Sequence, residues 1–104
     1  MKPIYSEGKV RKVYIDYSEN IGFVEIPIEA DIIDLIFSDA YRYIVYVEHP
    51  NPSTKGYRKV LIHSIAEGQN VPYNSKYMVS RVNGFNNSIT SYFIEETDVY
   101  IKIN

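Results

Sequence analysis

Apolar positions recur along this chain in two rhythms, and the change between them sets the first reading of the fold. Residues 9 to 17 and 21 to 28 are two strand-like runs around the polar Ser18-Glu19-Asn20, which predicts a β-hairpin. Pro27 has no N–H to give a ladder, so the second strand is expected to fade there or to lie at a sheet edge. From Glu29 the apolar residues fall at 30, 32, 33, 36 and 37, with carboxylates at 29, 31, 34 and 39. That spacing predicts one short amphipathic helix over about 29–40, with acid near its N-terminus and Ile32, Ile33, Ile36 and Phe37 packed onto a sheet.

The period of two returns at 41–48, where Tyr41, Tyr43, Val45 and Val47 form the face expected to be buried and Arg42, Ile44, Tyr46 and Glu48 an amphipathic one. The turn formers of 50–56 then lead to a strand over 57–65, predicting a second hairpin. Residues 66–76 form the longest polar connection, the natural place for mobility or for contact with a partner or ligand. Strands over 77–82 and 89–94 flank Asn83-Gly84, a signal for positive φ, and make a third hairpin. A last strand over 99–103 places Val99, Ile101 and Ile103 on one face.

This order predicts a single α+β domain over residues 1–104: a mainly antiparallel sheet of six or seven strands with one helix packed on it. The alternative is a small OB-like β-barrel. At 45% hydrophobic and 14% aromatic the chain has ample material for a core, so disorder is excluded.

Charge and composition narrow the classes of function. A formal net charge of −2 gives no overall basic field to draw in nucleic acid. With no cysteine, disulfides, thiolate nucleophiles and thiolate metal sites are excluded. The first residues lack the apolar core of a signal peptide and no run nears the roughly 18 apolar residues that span a bilayer, so a soluble cytoplasmic protein without membrane contact is expected. Asn86-Asn87-Ser88 fits a glycosylation pattern that has physical meaning only in a secretory protein. Abundant isoleucine, leucine only at 35 and 61, and 11 tyrosines suggest an AT-rich source such as a virus, a plasmid or a thermophile, and hence an infected host cell in the first case.

Candidate chemistry is thin. The two histidines, His49 and His63, are expected at opposite ends of the second hairpin, too far apart to share a metal. His63 and Ser64 point to opposite faces of one strand, and nothing marks Ser80 or Ser91 as a nucleophile facing His63. The acids at 31 and 34 read as a solvated helix face, and Glu95, Glu96 and Asp98 as a turn. No phosphate loop, dinucleotide fingerprint or nucleophile elbow is present. The expectation is a protein that is not an enzyme, with no catalytic residue, metal or cofactor.

Two constellations point to binding. Tyr is favoured at interfaces, and Ile44, Tyr46 and Tyr92 are expected on solvent-facing sides of strands, which suggests a small regulatory protein that contacts a protein partner or itself as a homodimer. The alternative is nucleic-acid binding through Lys9, Arg11, Lys12, Arg42, Lys55, Tyr57, Arg58 and Lys59, where cations would follow phosphates and rings would stack on bases. Gly8-Lys9-Val10, Gly22-Phe23-Val24-Glu25-Ile26, Leu61-Ile62-His63 and Glu67-Gly68-Gln69-Asn70-Val71 loosely resemble landmarks of cold-shock and related RNA-binding OB-fold domains. The helix and hairpin expected between the second and third landmarks leave such a domain little room, so no family is assigned on them.

Overall fold

The computed structural model describes residues 7–18, 20–38 and 41–103, and it is all-β. Eight strands form two antiparallel sheets: β1 (Lys9–Tyr14), β2 (Asp16–Ser18), β3 (Ile21–Pro27), β4 (Asp31–Ser38), β5 (Tyr41–Glu48), β6 (Gly56–Ala66), β7 (Lys76–Val82) and β8 (Ile89–Lys102). One sheet has the order β1-β5-β4 and the other β2-β3-β6-β8-β7, and neither closes into a barrel. The α+β class, the helix and the OB-like barrel are therefore all corrected.

The helix fails for a definable reason. Residues 31–38 are strand β4, and its register against β5 slips between Ile32 and Asp34, leaving Ile33 as a bulge. The extra residue puts Ile32 and Leu35 on the same face, opposite Tyr46 and Ile44 respectively, three positions apart instead of two. A bulged strand thus imitates helical spacing. Its β-branched residues suit a pleated strand better than a short helix.

Pairing also departs from the expected hairpins. The 9–17 run divides at Ile15, whose N–H donates to the Arg42 carbonyl at 3.0 Å before the chain crosses to the other sheet. Only the three residues of β2 pair with β3, whereas β1 pairs along its length with β5. The strands of the expected second hairpin lie in different sheets, β5 beside β1 and β4, and β6 between β3 and β8. The β7–β8 hairpin forms as expected, but the last strand is a continuation of β8 past a bulge. In its turn the left-handed residue is Asn87, at φ 58°, while the Asn83 side chain accepts from the Phe85 N–H.

The sheets share one core. Val24, Ile26, Val60, Ile62, Tyr92 and Ile94 from the larger sheet meet Leu35 and Ile44 from the smaller, with Ile15 at the crossing. A fully buried aliphatic side chain of this kind contributes roughly 1.5–3 kcal/mol. Ile44 is completely buried, so the even face of β5 turns toward the core, the reverse of the expected orientation; on the odd face Tyr41 is half exposed, while Val47 is buried as expected. Arg58 ties the Ile28–Ala30 turn to the larger sheet by donating to the carbonyls of Pro27, Ile28 and Ala30 while pairing with Glu96 at 3.0 Å.

Candidate binding surface

The outer face of the five-stranded sheet follows directly from its register. Residues directly opposite in an antiparallel ladder share a face. Ile21, His63, Phe93 and Tyr77 therefore form one row across β3, β6, β8 and β7, with Phe23, Leu61 and Glu95 in the next row and Tyr57 beside Ile101 further along. In β3 burial alternates strictly: Gly22, Val24 and Ile26 face the core while Ile21, Phe23 and Glu25 face out. Ile21 is 47% exposed, Phe23 37%, Tyr77 58% and Ile101 52%.

An antiparallel sandwich sheet normally turns polar residues to water. Here phenylalanine and isoleucine take that place, and they have no polar tip to be satisfied by solvent. The charged groups among them are few and both signs occur. Glu25 stands opposite Lys59, whose ammonium lies 4.7 Å from the Phe23 ring centre. His63, nearly buried, shares a 2.9 Å hydrogen bond with Glu95. Tyr77 packs edge-on against Phe93 with ring centres 5.7 Å apart.

The smaller sheet presents a different outer face. Tyr14 meets Tyr41 and Tyr43 edge-on at 5.5 and 5.9 Å, and the Lys12 ammonium lies over Tyr43 at 4.8 Å. These tyrosines pack on one another, and tyrosine is at ease at a wet surface.

The residues proposed for nucleic acid are dispersed. Lys9, Arg11 and Lys12 are exposed on β1, where Arg11 donates to Glu48 at 3.1 Å. Lys55 and Tyr57 line a groove of about 280 Å³ with Glu29, His49, Ile103 and Glu48, the carboxylate that holds Arg11, so this part of the set does come together. Arg58 is a structural clamp with a side chain 12% exposed, and Lys59 covers Phe23 on the outer face. Arg42 plugs the end of the core, its guanidinium 4.8 Å from the Tyr17 ring centre and 5.6 Å from that of Tyr92. Nearby the Tyr17 hydroxyl is buried without a partner at hydrogen-bond geometry. Burial pushes its pKa up, while Ser64 and Arg42 pull the other way.

Of the expected interface residues, Ile44 and Tyr92 belong to the core and are corrected on that ground. Tyr46 is half-buried against the core, and burial followed by the Glu48 charge raises its pKa. The residues that do face outward, Ile21, Phe23, Phe93 and Tyr77, were legible only as apolar positions on both faces of a strand. Arg81, 4.3 Å from the Phe37 ring centre, also lies outside the expected basic set.

Each histidine is held by a carboxylate. His49 shares a hydrogen bond with Asp31 at 3.0 Å, as His63 does with Glu95, and neither dyad has a nucleophile attached. Ser80 and Ser91 bond each other at 2.7 Å. Among the described residues no three His, Asp or Glu side chains converge as a metal site would need, and no helix is long and apolar enough to cross a membrane. The 66–76 connection is anchored at its start, where the Glu67 N–H donates to the Ile89 carbonyl and the Glu67 carboxylate accepts from the Ile89 N–H. A cleft of about 440 Å³ opens between Asp31 and Ile32 of β4 and Lys76 and Met78 of β7, with Arg58 and Glu96 in its wall.

No protein-family model matches the chain, and no match was found among curated proteins or solved structures.

Proposed function

We propose that this protein is a non-catalytic binding module that engages a protein partner through the outer face of its five-stranded sheet. The observation that carries the reading is the pair of adjacent rows, Ile21–His63–Phe93–Tyr77 and Phe23–Leu61–Glu95, in which a sheet already packed on a core bares a second apolar face. An apolar patch crossed by a few paired charges suits a protein contact, and the exposed parts of Ile21, Phe23 and Tyr77 supply its apolar area. Phe85, fully exposed at the tip of the β7–β8 hairpin, adds an aromatic anchor beyond the rows.

Nucleic-acid binding has less support. Arg11 and Arg58 are held by carboxylates, Lys12, Arg42 and Lys59 lie on aromatic rings, and β1 belongs to the other sheet from Arg58 and Lys59. The test is affinity capture from a lysate of the source cells with the wild type and a Phe23→Ser/Phe93→Ser variant, beside an anisotropy titration with single- and double-stranded oligonucleotides. The reading expects a protein retained by the wild type and lost by the variant, with no saturable oligonucleotide binding. Salt-sensitive oligonucleotide binding, with the same proteins retained by both forms, would overturn it.

A further inference from the structure

The last part of β8 has a strand on one side only. Strand β7 pairs with β8 no further than Lys76 opposite Ile94, whereas β6 follows it to Gly56 opposite Lys102. Among the described residues no strand lies against the other side of 98–102, and every residue there is exposed, including Val99 at 53%, Tyr100 at 51% and Ile101 at 52%. The segment Thr97-Asp98-Val99-Tyr100-Ile101-Lys102 contains no Pro or Gly and is rich in strand formers. Residues 97–99 bulge against Lys59, three residues where β6 has one, and regular pairing with β6 resumes at Tyr100; from there the edge is open as a template for another strand.

The backbone fixes which groups are on offer. The Ile103 N–H donates to the Lys55 carbonyl at 3.1 Å, and the Ile101 carbonyl points at Gly56. Ile101 and Ile103 therefore spend their hydrogen bonds on β6, and the alternating residues Tyr100 and Lys102 turn theirs to the free side. We propose that a second copy of this chain pairs antiparallel along this edge, with Tyr100 on the twofold axis. An antiparallel pair of identical strands is its own symmetry mate, so the contact is isologous and closes as a dimer. With Tyr100 opposite Tyr100, Asp98 at the edge of the bulge comes beside Lys102 of the other copy, giving two ion pairs related by the axis. The register centred on Ile101 has no such pair. That centred on Val99 would draw on Glu96, which Arg58 already holds.

The dimer makes the two larger sheets continuous, joining their outer faces into one surface. The proposal does not require the partner reading above, since it uses the edge and not the face.

Light scattering across a concentration series, with the wild type and charge variants, tests it. The wild type is expected at twice the chain mass. Asp98→Lys and Lys102→Asp alone each turn both ion pairs repulsive and should weaken the dimer by about tenfold or more, whereas Asp98→Lys with Lys102→Asp restores it. Phe23→Ser leaves the mass unchanged, which separates this contact from the face. Because the chain has no cysteine, Tyr100→Cys should cross-link to itself under mild oxidation, the opposed residues of a hydrogen-bonded pair lying about 5.5 Å apart, within disulfide reach. A monomer at all concentrations would overturn the proposal. So would a dimer indifferent to both single reversals, or one in which Tyr100→Cys fails to cross-link.

Discussion

Gly56 and Ile101 approach so closely that a Cβ on Gly56 would collide with the Ile101 carbonyl oxygen. Gly56 also has a φ of +127°, a conformation L side chains rarely adopt. The contact seats the end of β8 on the start of β6, at the strand end whose other side is open. Gly56→Ala is expected to cost about 2–4 kcal/mol, from overpacking and strain together, measured as a shift in the urea midpoint. It should also weaken association, because the ribbon that offers the edge is displaced.

The bulge at Ile33 reverses the mutational pattern a helix would give. Leu35 is 2% exposed and packs in the core, whereas Ile33 is 42% exposed. Leu35→Ala should cost about 2–5 kcal/mol and Ile33→Ser no more than about 0.5 kcal/mol. The helical spacing, with Ile33 turned inward and Leu35 off the packed face, predicts the opposite order, and equilibrium denaturation of the two variants separates them.

This pair also shows what the sequence made legible. Strand runs at 21–28, 41–48, 57–65 and 77–82 could be read because a period of two leaves a direct trace in apolar positions. The bulge at Ile33 could not be read from spacing, since one inserted residue turns that trace into a helical one; the one signal against the helix is the β-branched run Ile32, Ile33 and Ile36. Pairing between sheets was hidden for another reason. The break at Ile15 and the crossover from β5 to β6 depend on core packing between the sheets, with Leu35 and Ile44 of the smaller in one cluster with Val60 and Ile62 of the larger, and leave no local pattern. The inversion of β5 has the same origin and buries Ile44, and the packing of the two sheets likewise buries Tyr92 of β8 while Phe23 and Phe93 face out.

Arg58 is the residue least open to substitution among the basic ones. Its removal leaves the carbonyls of Ile28 and Ala30 without this donor, that of Pro27 with the Ala30 N–H alone, and Glu96 without its partner. Arg58→Met should destabilise by about 3 kcal/mol or more, and Arg58→Lys should not rescue it, because an ammonium cannot reproduce the fork. By contrast Arg11→Gln, which breaks an exposed pair, should cost less than about 1 kcal/mol. Thermal melts of the three variants check both statements, and any charge-reversal test of nucleic-acid binding should spare Arg58.

Glu29 locks the 50–55 loop by accepting from the Ser53 hydroxyl at 2.7 Å and from the Thr54 N–H. The Ser53 hydrogen bond, then that of Thr54, holds its carboxyl below the ordinary glutamate value of 4.5. A depressed folded-state pKa contributes stability that is present above the unfolded value and lost as pH falls through the folded one. Wild type should therefore be more stable than Glu29→Gln at neutral pH, with the difference shrinking as the solution is acidified below about pH 4.5. Melting curves of both proteins across that range provide the check, and a difference that grows on acidification would reverse the sign.

The most direct measurement of the central claim is side-chain footprinting of the protein free and in the presence of the partner captured by the wild type, read by mass spectrometry. Protection of Phe23, Phe93 and Tyr77, with labelling of Val10, Tyr14 and Tyr41 unchanged, is the predicted result. Protection of Val10, Tyr14 and Tyr41 with Phe23, Phe93 and Tyr77 still labelled would contradict it and move the working surface to the smaller sheet.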